Sequence, residues 1–188
     1  MDNNEANLIK QACQNTEAFR ELYRHYSPRV YSYIAARINN RQDAEDLTSE
    51  TFVRVLEGLP TFEYRGNGSF AAWVFRIAYT TVQQRYRQTT RRRWVSLDFL
   101  PLQDKSVSPV EHVFQQETSQ ELQQLIETLS LRRREIIYLR FYAELSNQEI
   151  SKVLKLDERT VASHLSRGIR DLQEKFHELL AKETYDHE

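Results

Sequence analysis

Long apolar runs are missing from this sequence. No stretch of about 18 consecutive apolar residues occurs, so no hydrophobic helix of bilayer-spanning length is expected and no membrane insertion with it. Cysteine is nearly absent as well. The lone Cys13 excludes an internal disulfide framework and a cysteine-rich metal site, fits a reducing cytoplasm, and reads as a small apolar helix residue. With 4 Gly and 4 Pro in 188 residues, turn chemistry is sparse. No segment alternates apolar and polar residues for long, which argues against a sheet protein and for an all-α fold. The opening Met1-Asp2-Asn3-Asn4-Glu5 is polar and acidic, unlike a secretory leader. Neither a P-loop nor a dinucleotide fingerprint is present. His25, His112, His164, His177 and His187 show no zinc spacing. Glu174-x-x-His177 occurs once, where a carboxylate-bridged di-metal bundle needs two such pairs on a shared core. No cofactor, metal or catalytic centre is expected.

What remains is a globular balance of 40% hydrophobic and 28% charged residues. The net charge of −1 hides a strong segregation. Arg76, Arg85, Arg87, Arg91, Arg92 and Arg93 form a basic stretch, and Asp43, Glu45, Asp46, Glu50 and Glu57 an acidic one upstream. One domain carrying both signs implies two different partners.

Helical spacing begins over roughly 5–26, with Phe19, Leu22, Tyr23 and Tyr26 on one face. Ser27-Pro28 predicts a stop and a restart, since proline suits a first helical position, and Val30, Tyr31, Ile34 and Ile38 line the next face. Asn40 is placed to cap a third helix with Ala44, Leu47, Val55, Leu56 and Leu59 on its apolar side, ended by Gly58 and Pro60. A loop over 60–68 leads to Ser69, the expected cap of a fourth helix with Phe70, Trp73, Val74, Ile77, Ala78 and Val82 inward. These helices make a first domain, 5–93. Periodicity fails over 94–118, a net-acidic linker with Pro101 and Pro109.

A second helical domain follows over 119–182. Leu122, Leu125, Ile126 and Leu129 form one face, and Ser130 is the expected cap of a helix bearing Ile136, Ile137, Leu139 and Phe141. Ser146 and Glu149 have capping-box spacing, ahead of Ile150, Val153 and Leu154. A turn at Lys155-Leu156-Asp157 precedes a long helix with Val161, Leu165, Ile169, Leu172 and Phe176 as its buried stripe. This short capped helix, turn and second helix have helix-turn-helix spacing. In such a motif the start of the second helix enters the major groove. The polar positions there are Arg159, Thr160, Ser163, His164 and Arg167, with groups suited to base edges and phosphates. Arg132-Arg133-Arg134 adds three cations for phosphates. On spacing alone, a plain pair of packed helices remains an equal reading.

Two longer stretches carry a family resemblance. Residues 43–52 (DAEDLTSETF) followed by 68–78 (GSFAAWVFRIA) resemble region 2 of extracytoplasmic-function (ECF) sigma factors. Residues 129–142 (LSLRRREIIYLRFY), 145–150 (LSNQEI) and 159–167 (RTVASHLSR) resemble region 4. Region 4 alone is shared with other helix-turn-helix regulators, whereas the two in this order are specific. The resemblance implies a protein that binds core RNA polymerase and promoter DNA in the cytoplasm and is held by an anti-sigma factor. By the same resemblance Asp43, Glu45, Asp46, Leu47, Glu50 and Phe52 would dock on the polymerase. Tyr64, Arg65, Arg76, Tyr79, Thr80, Gln84 and Arg87 would recognise and melt the −10 element. Arg159, Thr160, Ser163, His164 and Arg167 would read the −35 element. Trp73 is assigned to the core. Thr80 and Gln84 stand where the family usually has Asn and Asp, which bears on −10 specificity and melting. The competing readings are a dimeric regulator of duplex DNA and an adaptor that makes protein contacts alone.

Overall fold

The computed structural model describes residues 2–38, 40–95 and 121–185. Their regular structure is all helical, with no strand among them: α1 (Asp2–Ala12), α2 (Thr16–Ala35), α3 (Arg41–Gly58), a 3-10 turn (Leu59–Thr61), α4 (Ser69–Val95), α5 (121–127), α6 (Leu131–Phe141), α7 (Asn147–Leu154) and α8 (Glu158–Tyr185). The expected linker falls largely on residues outside the described set.

Two boundaries differ from the sequence reading. The predicted first helix is two helices, because the Asn15 side chain accepts from the Glu17 backbone N–H and caps α2. The predicted break at Pro28 does not occur, and α2 runs through it. Proline removes one helical hydrogen bond there. Leu22 and Tyr26 before it, and Val30, Tyr33 and Ile34 after it, are all buried and hold both halves against the same core.

The third helix starts where expected: the Asn40 side chain accepts from the Asp43 N–H at 2.9 Å. At its end Gly58 allows a close approach, since a Cβ there would lie 2.9 Å from the Trp73 ring. Trp73 packs on Phe62 and Phe70, with ring centroids 4.7 and 5.7 Å away, in keeping with a core role. Val74, Phe75, Ala78 and Val82 of α4 are fully buried against α2 and α3.

In the second half, Ile136, Ile137 and Leu139 of α6, Ile150 and Val153 of α7 and Val161 of α8 are buried. The expected cap at Ser130 does not form: its side chain makes no capping hydrogen bond. Phe141 is exposed on the outward side of the last turn of α6, whose inward side carries Tyr138 and Leu139. Phe176 is exposed too, on the part of α8 that extends beyond α6 and α7. The buried residues of the two halves join in one apolar cluster, with α7 lying along α4.

Candidate nucleic-acid and partner interfaces

The helix-turn-helix is built by local chemistry. Ser146 Oγ accepts from the Glu149 N–H, and the Glu149 carboxylate accepts from the Ser146 N–H at 2.7 Å, completing the capping box. Lys155, at φ 55°, is the left-handed residue that ends α7 and turns the chain into α8. Val161 is fully buried, so α8 is fixed in rotation and Arg159, Ser163 and Arg167 are turned to solvent. Thr160 and His164 are half-buried beside them. His164 has its pKa held below the ordinary value by partial burial and then by Arg133, Arg132 and Arg167. Beyond the burial, these arginines lie near enough to His164 to oppose its protonated form.

The arginine triplet divides its work. Arg132 is exposed. Arg133 is ion-paired with Asp171, and Arg134 donates to the Glu127 and Leu129 carbonyls at the end of α5. The expectation of three cations for phosphate is therefore corrected: consecutive helix residues point 100° apart, and two of these point inward.

On α3 the predicted partner residues separate into two faces. Leu47 and Phe52 are 4% and 5% exposed, in the row of buried residues Ala44, Leu47, Thr48, Thr51, Phe52 and Val55. Their apolar area is already buried in the fold, which corrects their assignment as docking anchors. Glu45, Asp46 and Glu50 lie on the exposed side. The apolar groups beside them are Val53 and Leu56, 54% and 49% exposed, of which Leu56 had been assigned to the core. Asp43 pairs with Arg85 at 2.5 Å. Arg54 bridges the α3–α4 seam, donating to Glu50 at 2.6 Å and to Gln84 at 2.7 Å. The structure thus brings together Glu50 and Gln84, which the sequence reading placed in different interfaces.

The other predicted DNA residues are spread along the loop after α3 and along α4. Arg65 is exposed beside Glu63 at 2.9 Å, and the Tyr64 hydroxyl reaches Glu5 at 3.4 Å. Thr80 returns its hydroxyl to its own helix, 2.9 Å from the Ile77 carbonyl. Arg87 is exposed. Arg76 and Tyr79 are not open to solvent as a pair. The Arg76 guanidinium stacks over the Tyr79 ring at 5.5 Å and donates to the Val153 carbonyl of α7 at 2.7 Å. Tyr79 also lines a cleft of about 620 Å³ between the halves, with Arg37, Tyr86, Arg132, Glu135 and Tyr138.

Sequence reasoning missed the polar seam between the halves. The Tyr33 hydroxyl donates to Glu135 at 2.5 Å, and Arg37 donates to the same carboxylate at 3.1 Å, with both ion-pair side chains nearly buried. Burial raises the Glu135 carboxyl above the ordinary carboxylate range, against the opposing pull of Arg37 and of the Tyr33 hydroxyl. Arg29 donates to the Ala143 carbonyl at 2.7 and 3.0 Å and to the Glu144 carbonyl at 3.2 Å. Among the described residues no cluster of His, Cys, Asp or Glu could hold a metal. None of the helices they form is long and apolar enough to cross a membrane.

Residues 22–92 match the model of the Sigma-70 region 2 family, and residues 119–172 that of Sigma-70, region 4. The chain is 33% identical to the ECF RNA polymerase sigma factor BldN of Streptomyces coelicolor, over 88% of this chain and 63% of that protein. It is 31% identical to the ECF RNA polymerase sigma factor SigX of Bacillus subtilis, over 92% of this chain and 90% of that one. Among solved structures, CnrH in complex with the cytosolic domain of CnrY has a TM-score of 0.65 at 21% identity, covering 90% of this chain and 95% of that one. The sigma factor RpoE of Bartonella quintana, in complex with the anti-sigma factor NepR, has a TM-score of 0.59 at 21% identity, covering 83% and 94%. A two-domain helical protein with both sigma regions in order is thereby defined. The chain belongs to the sigma-70 family, in its ECF group.

Proposed function

We propose that this chain is a promoter-selecting subunit that binds core RNA polymerase in the cytoplasm, starts transcription and performs no reaction of its own. Residues 5–93 act on the polymerase and the −10 element, and residues 119–182 on the −35 element, across the linker 94–118. The observation that carries this reading is the helix-turn-helix face. Arg159, Ser163 and Arg167 are exposed at the start of α8, and Arg132 is exposed at the start of α6. This face has the chemistry for phosphates and guanine edges.

On α3, the exposed carboxylates Glu45, Asp46 and Glu50, flanked by Val53 and Leu56, offer a mixed acidic and apolar surface suited to a basic protein partner. Tyr64, Arg65, Arg76, Tyr79, Gln84 and Arg87 lie along the loop and α4, where aromatic rings and cations suit unpaired bases and their backbone. The solved neighbours CnrH and RpoE are held by proteins, and an anti-sigma partner for this chain follows by analogy with them.

The test is co-elution with purified core RNA polymerase, alongside promoter binding by the assembled enzyme. The chain should bind stoichiometrically. Replacing Arg159, Ser163 and Arg167 with Ala should abolish promoter selection while leaving polymerase binding unchanged. A folded chain that binds duplex palindromes as a dimer and ignores polymerase would overturn the reading.

A further inference from the structure

The seam between α3 and α4 holds a hydrogen bond whose sense is dictated by chemistry. Arg54 Nη2 divides its two hydrogens, giving one to the Glu50 carboxylate at 2.6 Å and one to Gln84 Oε1 at 2.7 Å. A guanidinium carries donors alone, so only the oxygen of the Gln84 amide can face it. Thr81 and Val82 of α4 are buried just before Gln84, which fixes the rotation of the helix and leaves Gln84 exposed. Its amide nitrogen keeps two hydrogens and has no partner among the described residues. Thr80, one turn earlier on the same side, is the opposite case. Its hydroxyl hydrogen is spent on the Ile77 carbonyl at 2.9 Å, so outward it only accepts. Arg87, three residues past Gln84, is an exposed cation.

We infer that Arg54 is a positioning residue that presents Gln84 to the promoter strand with its donors outward. The contact made there is then with an acceptor, either a phosphate oxygen or the carbonyl or ring nitrogen of a base. The inference rests on the assignment of Gln84 to −10 DNA and adds the polarity of that contact. A glutamine whose amide turns freely offers oxygen or nitrogen as the partner requires, and so discriminates weakly between donors and acceptors. Holding the oxygen makes that choice before DNA arrives and lowers the cost of ordering the side chain on binding. A base edge offering only an amine hydrogen at this point would meet two donors and leave them unpaired. The clamp is itself held. Arg54 is 34% exposed and its partner Glu50 47%, so the guanidinium sits in a partly covered seam and is anchored to α3 by an ion pair one turn away.

The experiment uses the full chain assembled with purified core RNA polymerase and a duplex DNA pool randomised over the −35 and −10 positions. Sequencing the bound fraction reads base preference position by position. If Gln84 meets a base, the parent should favour acceptor-bearing edges at one −10 position by about tenfold. Gln84→Glu keeps the shape without the donors and should lose or reverse that preference. If Gln84 meets a phosphate, Gln84→Glu should instead weaken binding to every sequence by a similar factor. One neutral methylphosphonate linkage in the non-template strand should then weaken the parent and leave Gln84→Ala unaffected. Arg54→Lys retains a donor and should behave as the parent. Arg54→Met frees the amide and should flatten the preference, or lower the affinity in the phosphate case. That effect must vanish in the Arg54→Met/Gln84→Ala double variant. All variants are read with polymerase saturated, because Arg54 also touches Glu50, and circular dichroism checks that each stays helical. An Arg54→Met effect that persists beside Gln84→Ala overturns the positioning role. A parent preference for amine-bearing edges overturns the polarity, and variants of Gln84 that bind every sequence as the parent does overturn the contact. A chain that does not assemble with polymerase at all overturns the sigma reading, and this inference with it.

Discussion

Truncation of the two apolar groups on the outer face of α3 separates partner binding from folding. Leu56 and Val53 are 49% and 54% exposed, so about half of each side chain still faces water. Full burial of such a side chain is worth about 1.5–3 kcal/mol, which leaves about 1 kcal/mol per residue to be gained when a partner covers it. Val53→Ala/Leu56→Ala should therefore weaken polymerase binding by up to about 2 kcal/mol, or roughly 30-fold in Kd. Its melting temperature should fall by only a few °C, since the half of each side chain buried in the fold is worth about 1 kcal/mol or less. Leu47→Ala behaves in the opposite way. A leucine 4% exposed sits in the α2–α3–α4 core, where its loss costs about 2–5 kcal/mol and lowers Tm on the order of 10 °C. At a temperature where this variant remains folded, its affinity for polymerase should match the parent's. Scanning calorimetry and titration against core polymerase supply both numbers. If Leu47→Ala loses affinity while fully folded, and the outer-face pair does not, the assignment of the α3 surface is wrong.

Two further outcomes follow from the helix-turn-helix. Ser146→Ala removes the oxygen that caps α7, an eight-residue helix, and should cost about 1 kcal/mol, seen as a lower Tm and as faster amide exchange in Asn147–Ile150. His164 should titrate below about 6.5 by NMR, because partial burial and then Arg133, Arg132 and Arg167 oppose its protonated form. Its folded-state pKa lies below the unfolded value, so the unfolded chain takes up the proton first, and stability at this position falls as pH drops through that window. Arg132→Ala should raise the His164 pKa, and a DNA backbone bound beside it should raise it further.

Legibility in the sequence followed the range of the interaction. The capping box, the Lys155 turn and the Val161 register are set within a few residues, and a chain scan finds them. Pro28 and Asn15 show where local signals mislead. Proline carries the strongest local stop signal in α2, yet buried residues on both sides outweigh one lost hydrogen bond, while the break falls at a modest asparagine cap. On α3 the predicted partner set followed a contiguous motif, Asp43 to Phe52, whereas helix geometry divides any such run between two faces. Leu47 and Phe52 belong to the inner one, and the outward groups Val53 and Leu56 lie just past the motif's end. The arginine triplet failed for the same reason. Spacing assigns Phe176 to the buried stripe of α8, but its turn is exposed, and Phe141 falls on the outward face of α6.

The seam between the halves was illegible because its partners lie about a hundred residues apart along the chain. Tyr33 and Glu135 look like unremarkable helix residues until the tertiary fold places them 2.5 Å apart. Nothing local in either helix requires a buried carboxylate there, and burying one is unfavourable unless it is matched. That mismatch between local cost and tertiary pairing makes Glu135 informative. A residue kept in the core for stability alone would serve better as an isostere without charge, such as Gln or Met. A carboxylate facing a guanidinium and a tyrosine hydroxyl instead gives a contact that is satisfied in one register of the two halves. Arg76 fits the same logic from the other side. Its guanidinium is satisfied by a carbonyl of α7 77 residues away along the chain, a partner that no local pattern announces.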